Sequence, residues 1–294
     1  MHESARGQPH SSPWVSVRQP SPPAGRLLSR VNLLWIYDTP NWASFLLVVG
    51  VTTLAGWAGL FALRPWVSRL HHANNHNEVI SYFLAAVVLF YGVMVGLIAV
   101  GVWEQFSSTD EKVALEAAAV AAIYRDVSAY PEPDRSRLQA DMAKYVRAVI
   151  DDAWPLQQQG IVPQEDTQIL WHFQHHLTWF QPSTPAQGIL HTETLRTYNH
   201  LIELRRMRLH TVQTGLPGAV WIVVALGAVL TMSVAWFFKT HNFSVHFWMV
   251  TLTALLLGSI IWLLVVLDHP FLGSVSIGPD AFEEVFTSLM TQGN

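Results

Sequence analysis

Residues 79–103, VISYFLAAVVLFYGVMVGLIAVGVW, run for 25 positions without an Asp, Glu, Lys or Arg. The hydrocarbon core of a bilayer is about 30 Å thick and takes about 20 apolar helical residues to cross. The stretch is therefore long enough to span a membrane with some tilt. Three further runs share its character: about Asn41 to Leu63, about Leu216 to Phe238, and about Phe247 to Leu267.

Composition agrees with lipid as the solvent. Of 294 residues 51% are hydrophobic and only 13% are charged, against about 25% charged in a soluble domain. With no cysteine in the chain, disulfides, thiolate nucleophiles and zinc sites of the cysteine type are excluded. A net charge of −4 offers no basic footprint, so nucleic acid is not an expected partner.

Local signals set the expected limits of the spans. Proline disfavours helix at the residue before it, so Arg64-Pro65 predicts the end of the first span. Trp42, Trp57 and Trp66 fit interfacial anchors. Proline is tolerated in a first helical turn, so Leu216-Pro217 predicts the start of the third. Asp268-His269-Pro270 predicts the end of the fourth.

The 110 or so residues between the second and third spans show helical patterning only. Ser108 followed by Glu111 has the form of a capping box and predicts a new alanine-rich helix to about Ala129. Leu138, Met142, Tyr145, Val146, Val149 and Ile150 recur at helical spacing and predict a second, ending before Pro155. A third is expected over Asp166–Phe180 and a fourth from about Thr192 towards Leu216. Leu195, Ile202 and Leu209, at sevens, predict a packing seam or subunit contact. The expected fold is an all-α integral membrane protein with four transmembrane helices and a large helical soluble insertion between the second and third. Its expected divisions are a disordered tail at 1–30, membrane pairs at 31–106 and 216–270, a cytosolic helical region at 107–215, and a C-terminal tail at 271–294.

The first 30 residues lack an apolar stretch of the signal-peptide kind, so insertion through the first span is expected. Arg26, Arg30, Lys112, Arg205, Arg206 and Arg208 lie on one side of the spans, with Arg64, Arg69 and Lys239 on the other. The positive-inside rule then predicts cytoplasmic termini and a cytoplasmic large loop, in an inner (plasma) membrane.

Few residues offer chemistry. His172, His175 and His176 could bring two imidazoles to one metal, but no carboxylate accompanies them at helical spacing, and Trp171, Phe173 and Trp179 fit a packed amphipathic surface; no metal is expected. His71, His72 and His76 could titrate near neutrality, yet a polar loop at the headgroups explains them as well. Gly92 and Gly96 have the small-residue spacing that lets membrane helices approach, and predict helix packing; the alternative is flexibility in a pore-lining helix. Glu116 stands among small residues; a solvated helix face is its expected setting. No catalytic triad, phosphate loop, HExxH or cofactor-binding pattern occurs, so neither an enzyme nor a cofactor is expected. The first three spans hold no ionisable group, which argues against a proton-coupled carrier and leaves a channel open, since hydrophobic constrictions can gate by dewetting.

Several short motifs occur in a fixed order. Trp103-Glu104-Gln105-Phe106 closes the second span, Glu116-Ala117 lies on the following helix, Leu216-Pro217 with Trp221 opens the third span, and Pro270-Phe271-x-Gly273 follows the fourth, with Asp280-Ala281-Phe282-Glu283 after it. This order resembles the bestrophin-like family of bacterial membrane proteins and, more distantly, the bestrophin anion channels. The resemblance implies a pentameric ring of subunits in the lipid bilayer, with the second helices lining a passive pathway for small anions such as chloride. Counting back from Trp103, it implies a hydrophobic neck at Ala85, Leu89 and Val93, or at Phe90 if one residue is skipped. Bestrophins carry acidic residues directly after the Pro-Phe-Gly element as part of a calcium site; here Leu272, Ser274, Val275 and Ser276 follow instead, so calcium gating is not implied. The alternative function is a non-conducting membrane scaffold or signalling adaptor that uses its cytosolic helices.

Overall fold

The computed structural model describes residues 36–70, 77–164, 166–237 and 242–291. The expected N-terminal tail, and His71, His72 and His76, lie outside the described residues. Those that are described form helices and connecting turns, without a strand.

Helix α1 covers Asn41–Leu70 and α2 covers Asn77–Val127. The soluble part adds α3 (Asp134–Ala148), which continues through a π turn at Val149–Ala153 into the short α4 (Trp154–Gln157), then α5 (Asp166–Trp179) and α6 (Pro185–Thr211). Helices α7 (Gly218–Phe237) and α8 (Phe243–Asp268) complete the membrane part, and α9 (Asp280–Val285) follows, prolonged by a second π turn at Phe286–Met290. Four helices, α1, α2, α7 and α8, are long and apolar enough to cross a membrane. The chain is an all-α integral membrane protein.

Three expected boundaries are corrected. Helix α1 does not stop at Arg64-Pro65 but carries Pro65 inside it; a proline there removes one backbone bond near the membrane surface, where water and neighbouring groups can satisfy the freed carbonyl. No new helix starts at Ser108. Helix α2 runs unbroken for 51 residues, because no Gly or Pro interrupts it between Trp103 and Glu111, and the Thr109 hydroxyl bonds back to the Gln105 carbonyl at 2.8 Å instead of capping. The division expected at residues 106/107 thus falls inside one helix. Pro155 does not end the helical course begun at Asp134 either, since the π turn delivers it to the first turn of α4, where proline is tolerated.

Two cores result. In the membrane, Leu60, Tyr91, Val95, Val102, Val224, Val250 and Leu264 pack together. Tryptophan N–H groups tie these helices: Trp57 donates to the Thr251 hydroxyl at 2.9 Å, Trp236 to the Gly56 carbonyl at 2.9 Å, and Trp262 to the Ser44 hydroxyl at 3.1 Å. Trp42 and Trp66 remain exposed at the two ends of α1, whereas Trp57 turns towards α8 and stacks on Phe247. The close approaches occur where no Cβ intervenes: the Tyr91 ring covers Gly227, Trp236 covers Gly59, and Val49 and Thr52 cover Gly258.

The second core gathers Val113, Val120, Ile123, Leu138, Met142, Phe173 and Leu201 with Phe271, Ile277 and Phe282. The segment after α8 is therefore built into the soluble core. Gly273 makes that path possible, with φ at +82°, a backbone region glycine enters without strain. On α6 the buried face is Thr194, Tyr198, Leu201, Leu204 and Arg208, while Leu195, Ile202 and Leu209 flank it half-buried.

Candidate functional site

From Tyr91 onward helix α2 is packed on one side. Tyr91, Val95 and Val102 enter the membrane core, and Val113, Glu116 and Val120 enter the soluble one. Among the described residues the opposite strip is left uncovered. There Leu89 is 64% exposed, Val93 57% and Leu97 71%, with Val100 following; these positions recur at four, four and three residues, one helix face. Phe90, at 75% exposed, stands beside the strip, and Ala85 is exposed on its other flank. A Cβ at Gly92 or Gly96 would touch nothing within 4 Å, so any packing these glycines serve is with something other than this copy.

Beyond the membrane half, Trp103 is exposed and stacks on Phe106 at 6.2 Å, and Gln105 is exposed. Glu116 is not on a solvated face, which corrects the expectation from its neighbours. It is fully buried and forked against Arg208 of α6, with Arg208 Nε donating to Oε2 at 2.7 Å and Nη2 to Oε1 at 3.0 Å. Tyr145 donates its hydroxyl to the same carboxylate at 2.9 Å, and Arg208 Nη1 donates to Gln157 at 2.8 Å. The guanidinium also lies 5.4 Å from the Trp154 ring and 5.8 Å from that of Phe282. Burial alone would lower the Arg208 pKa, but the adjacent Glu116 carboxylate outweighs it and holds the guanidinium above its ordinary value. Burial, then the Glu116 charge, pushes the Tyr145 phenol well up, so it stays a donor.

The remaining motif residues divide between this cluster and the membrane boundary. Phe271 sits edge-on to Trp154 at 5.8 Å, and the indole of Trp154 donates to the Ile277 carbonyl at 3.1 Å. The Pro270 carbonyl accepts from the Ile277 N–H at 2.9 Å. Pro217 precedes α7, its carbonyl accepting from Val220 at 2.9 Å. One turn away in space, the Asp268 carboxylate accepts from the Leu216 N–H, closing the end of α8 onto the start of α7. The structure thus brings Glu116 and Phe271 into one cluster and leaves Trp103 and Gln105 apart from it.

His176 bonds Asp141 at 2.7 Å, while His172 and His175 face outward; among the described residues no three potential ligands come together to hold a metal. The residues that sequence reasoning missed are Arg208, Tyr145 and Gln157. Arg208 carries a signal, being the one charged residue on the otherwise apolar face of α6 that begins with Tyr198, Leu201 and Leu204.

A helical membrane protein with four helices long and apolar enough to span, whose second helix runs on past its apolar half into a second helical core, is defined by these features. Residues 50–282 match the Bestrophin-like domain, and the chain belongs to that family. The crystal structure of a bacterial bestrophin homolog from Klebsiella pneumoniae, carrying a point mutation, shares the fold with a TM-score of 0.64 at 11% identity, over 85% of this chain and 99% of that one. The same homolog solved by Zn-SAD phasing gives 0.62 at 11% identity, over 85% and 99%. At such identity the likeness is one of fold. No curated protein matches the chain.

Proposed function

We propose that copies of this chain assemble with their α2 helices around a common axis and form a passive ion pathway through an inner membrane. The observation that carries this is the bare face of α2, which extends past the bilayer. Leu115, about 18 Å beyond Trp103 along the helix, is still 46% exposed, and lipid tails do not reach it. A second copy of the same helix would cover both the apolar membrane half and the continuation outside it. The pathway is passive because the membrane half of α2 holds no ionisable relay. Its constriction lies at Leu89, Phe90 and Val93, where apolar side chains gate by excluding water. The soluble helices and both termini face the cytoplasm, following the arginine and lysine bias.

A second reading, a scaffold or adaptor, draws on the exposed Trp171, Trp179 and Ile189 of the soluble helices and not on the half-buried Leu195, Ile202 and Leu209 seam.

Ion flux into liposomes reconstituted with purified protein tests the first reading, with empty liposomes and a Leu89→Ala/Phe90→Ala variant alongside. Flux above background that rises in the variant, with unchanged assembly, is the expected outcome. Silence from folded, oligomeric protein moves the assignment to the scaffold.

A further inference from the structure

We infer that the outer face of α5 docks a second copy of this chain, the two helices meeting in parallel about a twofold axis. The inference does not depend on α2 lining a pathway. Helix α5 buries Leu170, Phe173 and Leu177, and its opposite face carries Trp171, His175 and Trp179 at intervals of four. The two indoles are 73% and 75% exposed, and the His175 ring stands edge-on to Trp179 at 5.5 Å. Exposed aromatic area of this kind, concentrated on one helix face, marks an interaction surface.

Lipid is not what covers it. Asp166, at the start of α5, pairs with Arg205, which lies within one turn of Arg208 on α6. Arg208 in turn meets Glu116, about 20 Å past Trp103 along α2. Phe180, just after α5, packs on Tyr130 beyond the far end of α2, ring centroids 4.5 Å apart. Helix α5 therefore runs beside the second half of α2 and in the same direction, beyond the reach of lipid tails. It packs on α3 and, through Phe173 stacked on Tyr198, on α6, so its outer face is separate from the bare strip of α2.

Charge, shape and direction all fit a second copy. Residues 167–192 contain no Asp, Glu, Lys or Arg. A twofold contact sets the same patch against itself; a charged face would repel its own copy, and this one carries no such charge. Gln168, Trp171 and His175 are spaced three and four apart, the seam of a parallel helix pair, in which each seam side chain enters a hole between residues of the facing helix. Such a hole is present: Thr167, Gln168, Trp171 and His172 border a surface hollow of about 250 Å³, and Trp171 of one copy enters it on the other, reciprocally. Because α5 follows α2, a parallel pair keeps both copies upright in one membrane. The two indoles bury about 300–500 Å² on each copy, about half of the roughly 800 Å² per partner in a stable interface; the exposed polar residues around them form the rim.

Disulfide trapping in native membranes tests the contact, because the full chain has no cysteine of its own. A seam residue meets its own copy across the axis, close enough for a disulfide. On oxidation His175→Cys should give a covalent dimer on a non-reducing denaturing gel, and Ser288→Cys, exposed on the C-terminal segment, should give little. Adding Trp171→Ala/Trp179→Ala to His175→Cys should cut the dimer yield severalfold, with the fold retained because both indoles are exposed. A His175→Cys thiol that labels freely with maleimide yet forms no dimer overturns the contact, as does a yield equal to that of Ser288→Cys or indifferent to the tryptophans. A thiol that neither labels nor dimerises means that a different molecule covers the face, and overturns it too. Ion flux is read separately: a dimer without flux keeps the contact and removes the pathway, and flux without a dimer does the reverse.

Discussion

Arg208 of α6 and Glu116 of α2, 92 residues apart in sequence, meet as a forked ion pair with neither side chain exposed to solvent. Their pairing locks the second half of α2 to α6, while Tyr145 donates to the same carboxylate and Gln157 accepts from the same guanidinium. A charge removed from such a site leaves its partner uncompensated in a medium that solvates it poorly.

Arg208→Met should accordingly destabilise the protein by about 3–5 kcal/mol, and Glu116→Leu by a similar amount, while the double substitution recovers most of the loss. Thermal unfolding of the detergent-solubilised chain, followed by circular dichroism, would show this as a large non-additivity. Additive losses would mean that the pair is not the unit described.

The glycines of the membrane half separate contacts within the chain from contacts between copies. A Cβ at Gly258 would lie 2.9 Å from the Val49 backbone, so Gly258→Ala must shift α1 against α8 and should cost about 1–3 kcal/mol even in a monomer. At Gly92 and Gly96 a methyl group meets open space. Alanine there should not lower the monomer's melting temperature, since alanine is the better helix former; any penalty should appear only in the oligomer fraction on size-exclusion chromatography. A monomer destabilised by Gly96→Ala would contradict the bare face of α2.

The C-terminal segment should behave as part of the soluble core. Phe282 is fully buried among Trp154, Arg208 and their neighbours, and Phe282→Ala should cost about 3–5 kcal/mol. Limited proteolysis offers a direct comparison: cleavage within 271–291 should stay slow in the wild type and accelerate in the variant. Equal, rapid cleavage in both would mean that this segment is a loose tail.

The four spans were legible from charge-free runs alone, because lipid tolerates no ambiguity between an apolar stretch of 20 residues and a polar one. Helix α5 was also legible, its limits at Asp166 and Trp179 following the pattern Leu170, Phe173 and Leu177. The continuity of α2 was not. Ser108 and Glu111 have the local form of a helix start, and a local pattern carries no information on whether the preceding turn already supplies the backbone bonds. Glu116 failed for a different reason: the residues that follow it, Ala117, Ala118 and Ala119, are small, and nothing nearby in sequence shows that a guanidinium 92 residues on will reach the carboxylate. The close approaches at Gly59, Gly227 and Gly258 are set by which helix lies opposite, a tertiary fact that a spacing rule applied to one helix does not contain.

The unbroken course of α2 has a mechanical consequence. A helix of 51 residues is a rod about 77 Å long, and no Gly-Pro hinge interrupts it where it leaves the bilayer. A tilt of about 5° about its middle swings each tip by about 3 Å. Motion of the membrane half is thus transmitted undiminished to the helices clasped around Glu116, and a torque applied there returns along the same shaft.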